Sequence, residues 1–231
     1  MLFKDLGTVD YKETWDFQQH LFNQILDLKK TNAGLPVCEQ ITDYNYLLFC
    51  EHPHVYTLGK SGSEKNLLID PRMLEEKGAR FYKIDRGGDI TYHGPGQIVG
   101  YPIFDLEKLS IGLKEYIHKM EEAIILTLKE YGIASSRLEG ASGVWLDADK
   151  PDKARKICAI GVKSSRYVTM HGFAFNVNTK LDFYNYINPC GFIDKGVTSM
   201  EKELGGKVNM DEVKGFLKGV FSKVFGFAYS D

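Results

Sequence analysis

Apolar residues repeat at the 3.6-residue spacing of an amphipathic helix in three long stretches of the chain. The predicted helices cover residues 11–30, 113–131 and 211–225. Gly132 ends the second helix, because glycine readily adopts the left-handed conformation that closes a helix. A shorter predicted helix over residues 71–77 has proline at its first position and ends before Gly78.

Shorter runs rich in apolar and β-branched residues predict strands between these helices. They cover residues 46–51, 54–58, 80–85, 97–104, 143–146, 156–162 and 168–177. The strands are many, the helices are few, and the two do not alternate regularly. This pattern predicts an α+β fold in which helices flank a mixed central β-sheet. At 231 residues, we expect a single domain over residues 1–231.

The run at residues 86–97 concentrates four glycines, at positions 87, 88, 94 and 96. Glycine weakens regular structure, so such a run is typical either of a surface turn or of backbone that lies against a ligand. Gly-Pro-Gly by itself favours the turn. Arg86 and His93 bracket the glycines, however, and a predicted strand follows directly. We therefore interpret the run as the floor of a binding site.

Composition limits the classes of partner. The chain is 43% hydrophobic and 26% charged with a net charge of −2, which gives no reason to expect nucleic acid or a membrane as a partner. No apolar stretch approaches the roughly 18 residues of a membrane span, and the first residues do not resemble a signal peptide. The four cysteines are widely separated, without a C-x-x-C pair. We expect no metal site and a cytoplasmic protein with reduced thiols.

Four cysteines compete as candidate nucleophiles. Cys50 and Cys158 lie in apolar strand segments, where cysteine usually acts as a small buried hydrophobe. Cys38 lies in a polar loop with nothing nearby in sequence to activate it. Cys190 stands between proline and glycine, which impose a turn and hold the sulfur outside regular structure. Cys190 is the candidate with a distinctive context.

Lys156 opens an apolar strand at the end of a basic stretch, residues 150–156. Most lysines are solvated surface charges, but this position allows the ammonium to face the sheet interior. A cysteine thiol with a pKa of about 8.5 is only a few per cent thiolate at neutral pH. An ammonium beside the Cys190 sulfur would lower that pKa. The pairing requires the fold to bring Lys156 and Cys190 together.

The histidines leave several alternatives open. His93 and His171 both precede glycine, and each is equally consistent with a structural hydrogen-bonding group and with a base. His52 and His54 form a His-x-His pair, but a metal site there would need a third ligand.

Three blocks of the chain resemble the octanoyltransferases of lipoate biosynthesis, the lipoyl(octanoyl) transferase family. They are RGGDITYHGPGQ at 86–97, KICAIG at 156–161 with HGFA at 171–174, and NPCG at 188–191. The resemblance extends from about residue 6 to residue 204. The chain departs from the family pattern at Asp89, where glutamine is common, and in the charged segment 147–155.

The resemblance implies the fold of biotin and lipoate ligases and assigns roles by motif position. Cys190 would be the acyl-thioester nucleophile, and Lys156 its acid/base partner. The implied substrate-binding residues are Arg86, Gly87, Gly88, Asp89, Ile90, Thr91, Tyr92, His93, Ala159, Ile160, Gly161, Gly172, Phe173 and Ala174.

The implied reaction transfers an octanoyl group from octanoyl-acyl carrier protein to a specific lysine of a lipoyl domain, as the first step of endogenous protein lipoylation. The acceptors would be lipoyl domains of 2-oxoacid dehydrogenase complexes and the glycine cleavage H protein. The octanoyl group is attached to the carrier's phosphopantetheine as a thioester, so we expect no cofactor and no requirement for ATP.

Two other functions are consistent with a fold of this kind. A ligase of the same fold would activate a free acid as an adenylate, whereas a non-catalytic module would only sequester an acyl chain.

The acyl carrier protein is acidic and would need a basic docking patch. The candidate residues, equally consistent with a solvated loop, are Lys150, Lys153, Arg155, Lys163 and Arg166.

Overall fold

The structure is a computed structural model that describes residues 1–41, 44–188 and 195–230. The strands are β1 (Leu2–Thr8), β2 (Tyr46–Glu51), β3 (Val55–Leu58), β4 (Arg80–Lys83), β5 (Ile90–His93), β6 (Gln97–Ile103), β7 (Ser136–Leu138), β8 (Ala141–Leu146), β9 (Arg155–Ser165), β10 (Val168–Asn176) and β11 (Gly196–Val197). The α-helices are α1 (Tyr11–Asn32), α2 (Pro71–Glu76), α3 (Leu113–Glu130), α4 (Met200–Leu204) and α5 (Met210–Phe225). Short 3₁₀ helices cover Val37–Glu39, Glu64–Asn66 and Leu181–Tyr186.

The strands form two sheets. The larger sheet has the order β1-β2-β6-β10-β9-β8-β7, with β11 paired to the start of β9. Its β1–β2 and β9–β11 pairs are parallel and its other pairs antiparallel, which makes the sheet mixed. The smaller sheet has the order β4-β3-β5. The predicted α+β fold with a mixed central sheet is confirmed.

Helices cover both faces of the larger sheet. On one face, Leu21, Phe22 and Ile25 of α1 pack against Val99 and Tyr101 of β6. On the other face, α3 and α5 join the aromatic side chains of β2 and β10 in the main core, which includes Phe49, Tyr116, Met120, Phe173, Phe175, Leu217 and Phe221. Burial of these side chains removes apolar surface from water and so supplies the main stabilisation of the fold. None of the described helices is long and apolar enough to cross a bilayer.

The helix signals in the sequence are confirmed to within two residues. Asp10 caps α1 by accepting from the backbone of Lys12 and Glu13, and Pro71 lies in the first turn of α2. Gly132 follows α3 with a left-handed φ of 72°. Helix α3 therefore ends where Gly132 indicated, and α2 begins at the predicted Pro71.

Several strand predictions needed correction, and the short strands β7 and β11 were also missed. The β1 strand was missed, because its half-exposed sequence LFKDLGT lacks apolar alternation and its pairing with β2 is a long-range contact. Strand β4 ends at Lys83, two residues earlier than predicted. The glycine run is not wholly irregular, since β5 lies within it and pairs with β3. A neighbouring strand thus outweighs the low strand preference of the flanking glycines.

The two sheets meet along the open edge of β9. Strand β8 pairs with β9 as far as Cys158, where the ladder ends. Further along β9, the Val162 carbonyl accepts a hydrogen bond of 2.9 Å from the Gly87 amide. Gly59, which follows β3, has its own amide bonded to the Asp89 carbonyl at 3.2 Å. These contacts hold the glycine run against the face of β9 and β10.

Candidate active site

A cavity of about 650 Å³ lies between the glycine run and the larger sheet. Strands β6, β9 and β10 supply its floor, and β5 with residues 86–89 supplies one wall. Of the residues predicted to bind substrate, thirteen line the cavity: Arg86, Gly87, Gly88, Asp89, Ile90, Thr91, His93, Ala159, Ile160, Gly161, Gly172, Phe173 and Ala174. Lys156 lines it as well.

Tyr92 is placed differently from its neighbours. It is buried on β5 and lies outside the cavity lining, within the cluster of buried side chains that packs against the smaller sheet. Its hydroxyl bonds to Nδ1 of His54 at 2.7 Å, and its ring stacks on Phe183 with ring centres 5.1 Å apart. Tyr92 therefore supports the smaller sheet from behind.

Lys156 is directed to the cavity by a local irregularity. Val144 pairs with Cys158 and Trp145 with Lys156, so one extra residue of β9 is accommodated as a bulge between these pairs. The Lys156 ammonium lies 4.6 Å from the centre of the Trp145 ring. An indole face attracts a cation, and the contact fixes where the long lysine side chain ends.

The floor of the cavity is made of small residues in register. Ala159 pairs with Ala174, and Gly161 pairs with Gly172, across β9 and β10. Gly172 has no room for a side chain, because an added Cβ would lie 2.1 Å from the Gly100 carbonyl oxygen. Side chains of this size leave a shallow apolar trough along the sheet. The trough runs from Lys156 towards Gly161.

Arg86 ties the glycine run together. Its guanidinium donates to the carbonyls of Gly87 and Asp89, both at 2.8 Å, and to the Thr57 carbonyl at 3.2 Å. Gly59 must be glycine here, because an added Cβ would lie 2.3 Å from the Gly88 carbonyl oxygen. Arg86 thus lines the cavity, and its guanidinium is hydrogen-bonded to backbone carbonyl oxygens.

The same fold and motifs occur in known proteins. A family model for the lipoyl protein ligase A/B catalytic domain matches residues 10–222. An octanoyltransferase from Flavobacterium johnsoniae is 58% identical over 212 residues, which cover 91% of this chain and 90% of that relative. The chain belongs to the lipoyl protein ligase A/B catalytic domain family. It is an enzyme of the transferase class, and it is similar to the octanoyltransferases of that family over most of its length.

Solved structures of two protein ligases share the architecture. A bipartite lipoate protein ligase from Thermoplasma acidophilum, described with its E2 lipoyl domain, matches with a TM-score of 0.70 at 17% identity, covering 100% of this chain and 85% of that one. A biotin protein ligase from Aquifex aeolicus matches with a TM-score of 0.54 at 13% identity, covering 97% and 70%. The predicted biotin/lipoate ligase-like fold is confirmed.

The described cysteines separate by burial. Cys50 and Cys158 are buried in β2 and β9, and burial raises the pKa of both thiols well above its ordinary value. Cys38 is exposed. Cys190, the predicted nucleophile, lies outside the described residues, and its role stays a prediction. Neither buried thiol has the environment of a nucleophile.

His93 and His171 each have a side-chain hydrogen-bond partner, as expected if they are structural hydrogen-bonding groups. His93 donates from Nδ1 to Gln97 at 2.9 Å, and burial lowers its pKa to about 3. His171 donates from Nε2 to Asp85 at 3.1 Å, and burial lowers its pKa too. Both nevertheless line the cavity.

The His-x-His pair is divided between two environments. His52 bonds to the Val9 carbonyl and the Tyr101 hydroxyl, both at 2.8 Å, whereas His54 bonds to the Tyr92 hydroxyl. Among the described residues, no group of three or more His, Cys, Asp or Glu side chains is arranged to hold a metal ion.

The predicted basic patch is spread along the length of β9, and its role in docking stays a prediction. Arg155 and Lys163 lie eight positions apart on β9, roughly 26 Å at strand spacing, so the five residues fall at opposite ends of the sheet. Arg155 is also paired with Glu203 at 2.7 Å and with Asp147 at 2.5 Å. Lys163 is paired with Asp85 at 2.5 Å. These ion pairs reduce the positive charge that Arg155 and Lys163 can offer to an acidic partner.

Several cavity residues were missed by sequence reasoning. They lie outside the predicted site residues, although Asn176 follows the HGFA motif by two positions on β10: Tyr11, Val99, Tyr101, Trp145, Asn176 and Tyr184. Strand alternation gives a signal for two of them, because Val99 and Tyr101 share one face of β6. The others reach the cavity only through tertiary packing.

Proposed function

We propose that this enzyme transfers an octanoyl group from octanoyl-acyl carrier protein to a lysine of a lipoyl domain, through a thioester on Cys190. The observation that carries the proposal is a lysine, Lys156, at one end of an apolar trough in a cavity of about 650 Å³. The membership of the chain among octanoyltransferases supports the identity of the acyl group.

The first half-reaction moves the acyl group between two sulfurs. The Cys190 thiolate attacks the thioester carbonyl of the carrier, and the pantetheine thiolate leaves and takes a proton from the Lys156 ammonium. One thioester replaces another, so this step is nearly neutral in free energy and needs no ATP. Val197 is the cross-strand partner of Lys156 and follows Cys190 by seven positions. This short separation in sequence supports a position of Cys190 near Lys156.

The second half-reaction forms the amide. The acceptor lysine, with a pKa of about 10.4, is neutral in well under one molecule in a thousand at pH 7. Lys156, having given up its proton in the first step, accepts one from this amine as it attacks the thioester. Cys190 leaves as the thiolate, and the enzyme returns to its starting state. Cys190 and Lys156 therefore titrate as a coupled pair.

The trough supplies the affinity for the acyl tail. Burial of seven methylene or methyl groups at about 0.8 kcal/mol each contributes roughly 5–6 kcal/mol. Ala159 and Ala174 leave room for the tail, while Val99 and Ile90 provide apolar walls. Backbone amides of the glycine-rich segments are candidates for the oxyanion site, but Gly87 and Gly96 already donate to Val162 and Glu51.

The proposed partners are the acyl carrier protein and lipoyl domains of 2-oxoacid dehydrogenase complexes and the glycine cleavage H protein. The lipoate protein ligase of Thermoplasma acidophilum, which shares the fold, is described with an E2 lipoyl domain. We place the reaction in the cytoplasm and propose that it needs no cofactor beyond the carrier's phosphopantetheine.

The decisive experiment uses octanoyl-carrier protein and an acceptor lipoyl domain without ATP. We expect octanoylation of the acceptor, and an octanoyl adduct on the enzyme that hydroxylamine removes. Cys190→Ser should abolish the adduct, whereas Cys38→Ser, which removes the exposed described thiol, should retain it. An adduct that persists in Cys190→Ser would overturn the assignment.

The same assay separates the rivals. Transfer only from free octanoate with ATP would identify an adenylate-forming ligase. Binding of the acyl carrier without adduct or transfer would identify a sequestering module.

A further inference from the structure

The side chain of Arg86 covers Gly161 on the floor of the cavity. A Cβ added to Gly161 would lie 2.7 Å from both Cδ and Nη1 of Arg86, and 2.9 Å from the Gly87 carbonyl oxygen. The arginine stem therefore fills the space directly above this glycine. The arginine stem narrows the trough at Gly161, and the cavity continues beyond it along Val162 and His171.

Asp85 fastens this narrow point to the two central strands. One carboxylate oxygen pairs with Lys163 of β9 at 2.5 Å, and the other accepts from His171 of β10 at 3.1 Å. We call Asp85, Lys163 and His171 the Asp85 clamp. Because Asp85 directly precedes Arg86, the clamp fixes where the arginine stem leaves the backbone.

His171 adopts a strained backbone to take part in the clamp. Its φ is 60°, in the left-handed region that residues other than glycine rarely occupy. Its amide donates to Gln18 Oε1 at 3.0 Å. Strain of this kind persists where the surrounding structure enforces it and is concentrated at functional sites.

The length of the open trough matches an eight-carbon chain. Lys156 and Gly161 are five positions apart on β9, roughly 16 Å at strand spacing and somewhat less with the bulge. An extended octanoyl chain, with C–C bonds of about 1.5 Å, spans roughly 9 Å from carbonyl carbon to methyl. An octanoyl chain is therefore short enough to lie between Lys156 and Gly161.

Resting on the proposed octanoyl transfer, we propose that Arg86 is the end wall of the acyl channel and that the Asp85 clamp sets the acyl chain length. Asp85, Lys163 and His171 are then positioning residues. They act through Arg86 and do not touch the reacting atoms. Loss of the carboxylate frees the backbone at residue 85 from β9 and β10, so the arginine stem shifts on Gly161 while its guanidinium stays bonded to backbone carbonyls, and the channel lengthens.

The test compares kcat/KM for octanoyl- and decanoyl-carrier protein in the wild type and in Asp85→Asn. Each buried methylene contributes about a fourfold preference, so two more account for up to about fifteenfold. We expect Asp85→Asn to raise the decanoyl-to-octanoyl ratio by about five- to fifteenfold. Asp147→Asn is the matched control, because Asp147 also bridges two cations, Lys150 and Arg155, at the opposite end of β9. It should leave the ratio within twofold of wild type.

Lys163→Met provides a second variant, which keeps the length of the side chain and removes its charge. It should raise the ratio in the same direction, by about two- to fivefold, and it decides the question if Asp85→Asn does not fold. A ratio within twofold of wild type in the folded variants, with octanoyl transfer retained, would overturn the end-wall proposal. Failure of the proposed function would be distinct, since the wild type would then transfer no acyl group from any carrier.

Discussion

Lys156 and Trp145 are cross-strand partners whose side chains meet over the cavity, with the ammonium 4.6 Å from the ring centre. Cation–π contacts of this kind contribute about 0.5–2 kcal/mol. We therefore expect Trp145→Leu to lower kcat for acyl transfer by about three- to thirtyfold, while Trp145→Phe keeps an aromatic face and loses less. Equal effects of Leu and Phe in a steady-state assay would show that only the volume of Trp145 matters.

Replacement of the lysine itself tests proton transfer. Lys156→Met should lower transfer by about 10²- to 10⁴-fold, the usual range for a general acid–base group. Lys156→Arg should not restore it, because a guanidinium stays protonated at neutral pH and does not act as a base. Circular dichroism and thermal unfolding control for folding. Near-normal turnover in either variant would remove Lys156 from the mechanism.

Gly59 is predicted to be irreplaceable for steric reasons. An added Cβ would lie 2.3 Å from the Gly88 carbonyl oxygen and 2.8 Å from that of Arg86, so backbone must move. We expect Gly59→Ala to lower the free energy of unfolding by about 2–4 kcal/mol.

Gly219 provides the matched glycine control. It is exposed in α5, and an added Cβ meets nothing within 4 Å. Gly219→Ala should therefore raise the free energy of unfolding by about 0.5–1 kcal/mol, because alanine favours helix. Urea titration measures both changes, and a stable Gly59→Ala would contradict the close packing of β3 against the glycine run.

The buried histidines predict a loss of stability in mild acid. Burial lowers the pKa of His52 to about 4 and that of His93 to about 3, both below the unfolded value of about 6.5. Below pH 6.5 these histidines therefore bind protons in the unfolded chain but not in the folded chain. The free energy of unfolding falls as the pH falls. The contribution of these groups is complete above that pH. From pH 7.5 to 5.5 we expect a loss of about 3 kcal/mol from these two groups.

Single-histidine variants test this assignment. His52→Gln should flatten the pH dependence of the free energy of unfolding by about a third to a half, because His93 and His171, whose pKa values are also lowered by burial, remain. His20→Gln, at an exposed position of α1, should leave the slope unchanged. Urea titrations at several pH values measure the slope, and an unchanged slope in His52→Gln would assign the acid sensitivity to other groups.

The elements predicted correctly are those whose signals are local. The periodicity of α1, α3 and α5 and the glycine after α3 depend on residues within a few turns of one another. Strand β1 and the position of β5 were not predictable in this way, because each is a strand only through a partner distant in sequence. The bulge that turns Lys156 to the cavity is also defined by pairing with β8.

The sequence by itself determined the α+β class, the positions of the long helices and the residues of the family motifs, because periodicity, capping and short motifs are written in neighbouring positions. Tertiary structure alone decided that Arg86 covers Gly161, that Asp85 joins Lys163 to His171, and that the five basic residues lie at opposite ends of the sheet. These facts depend on which strands lie side by side and in which register. Strand register is set by the packing of the whole chain.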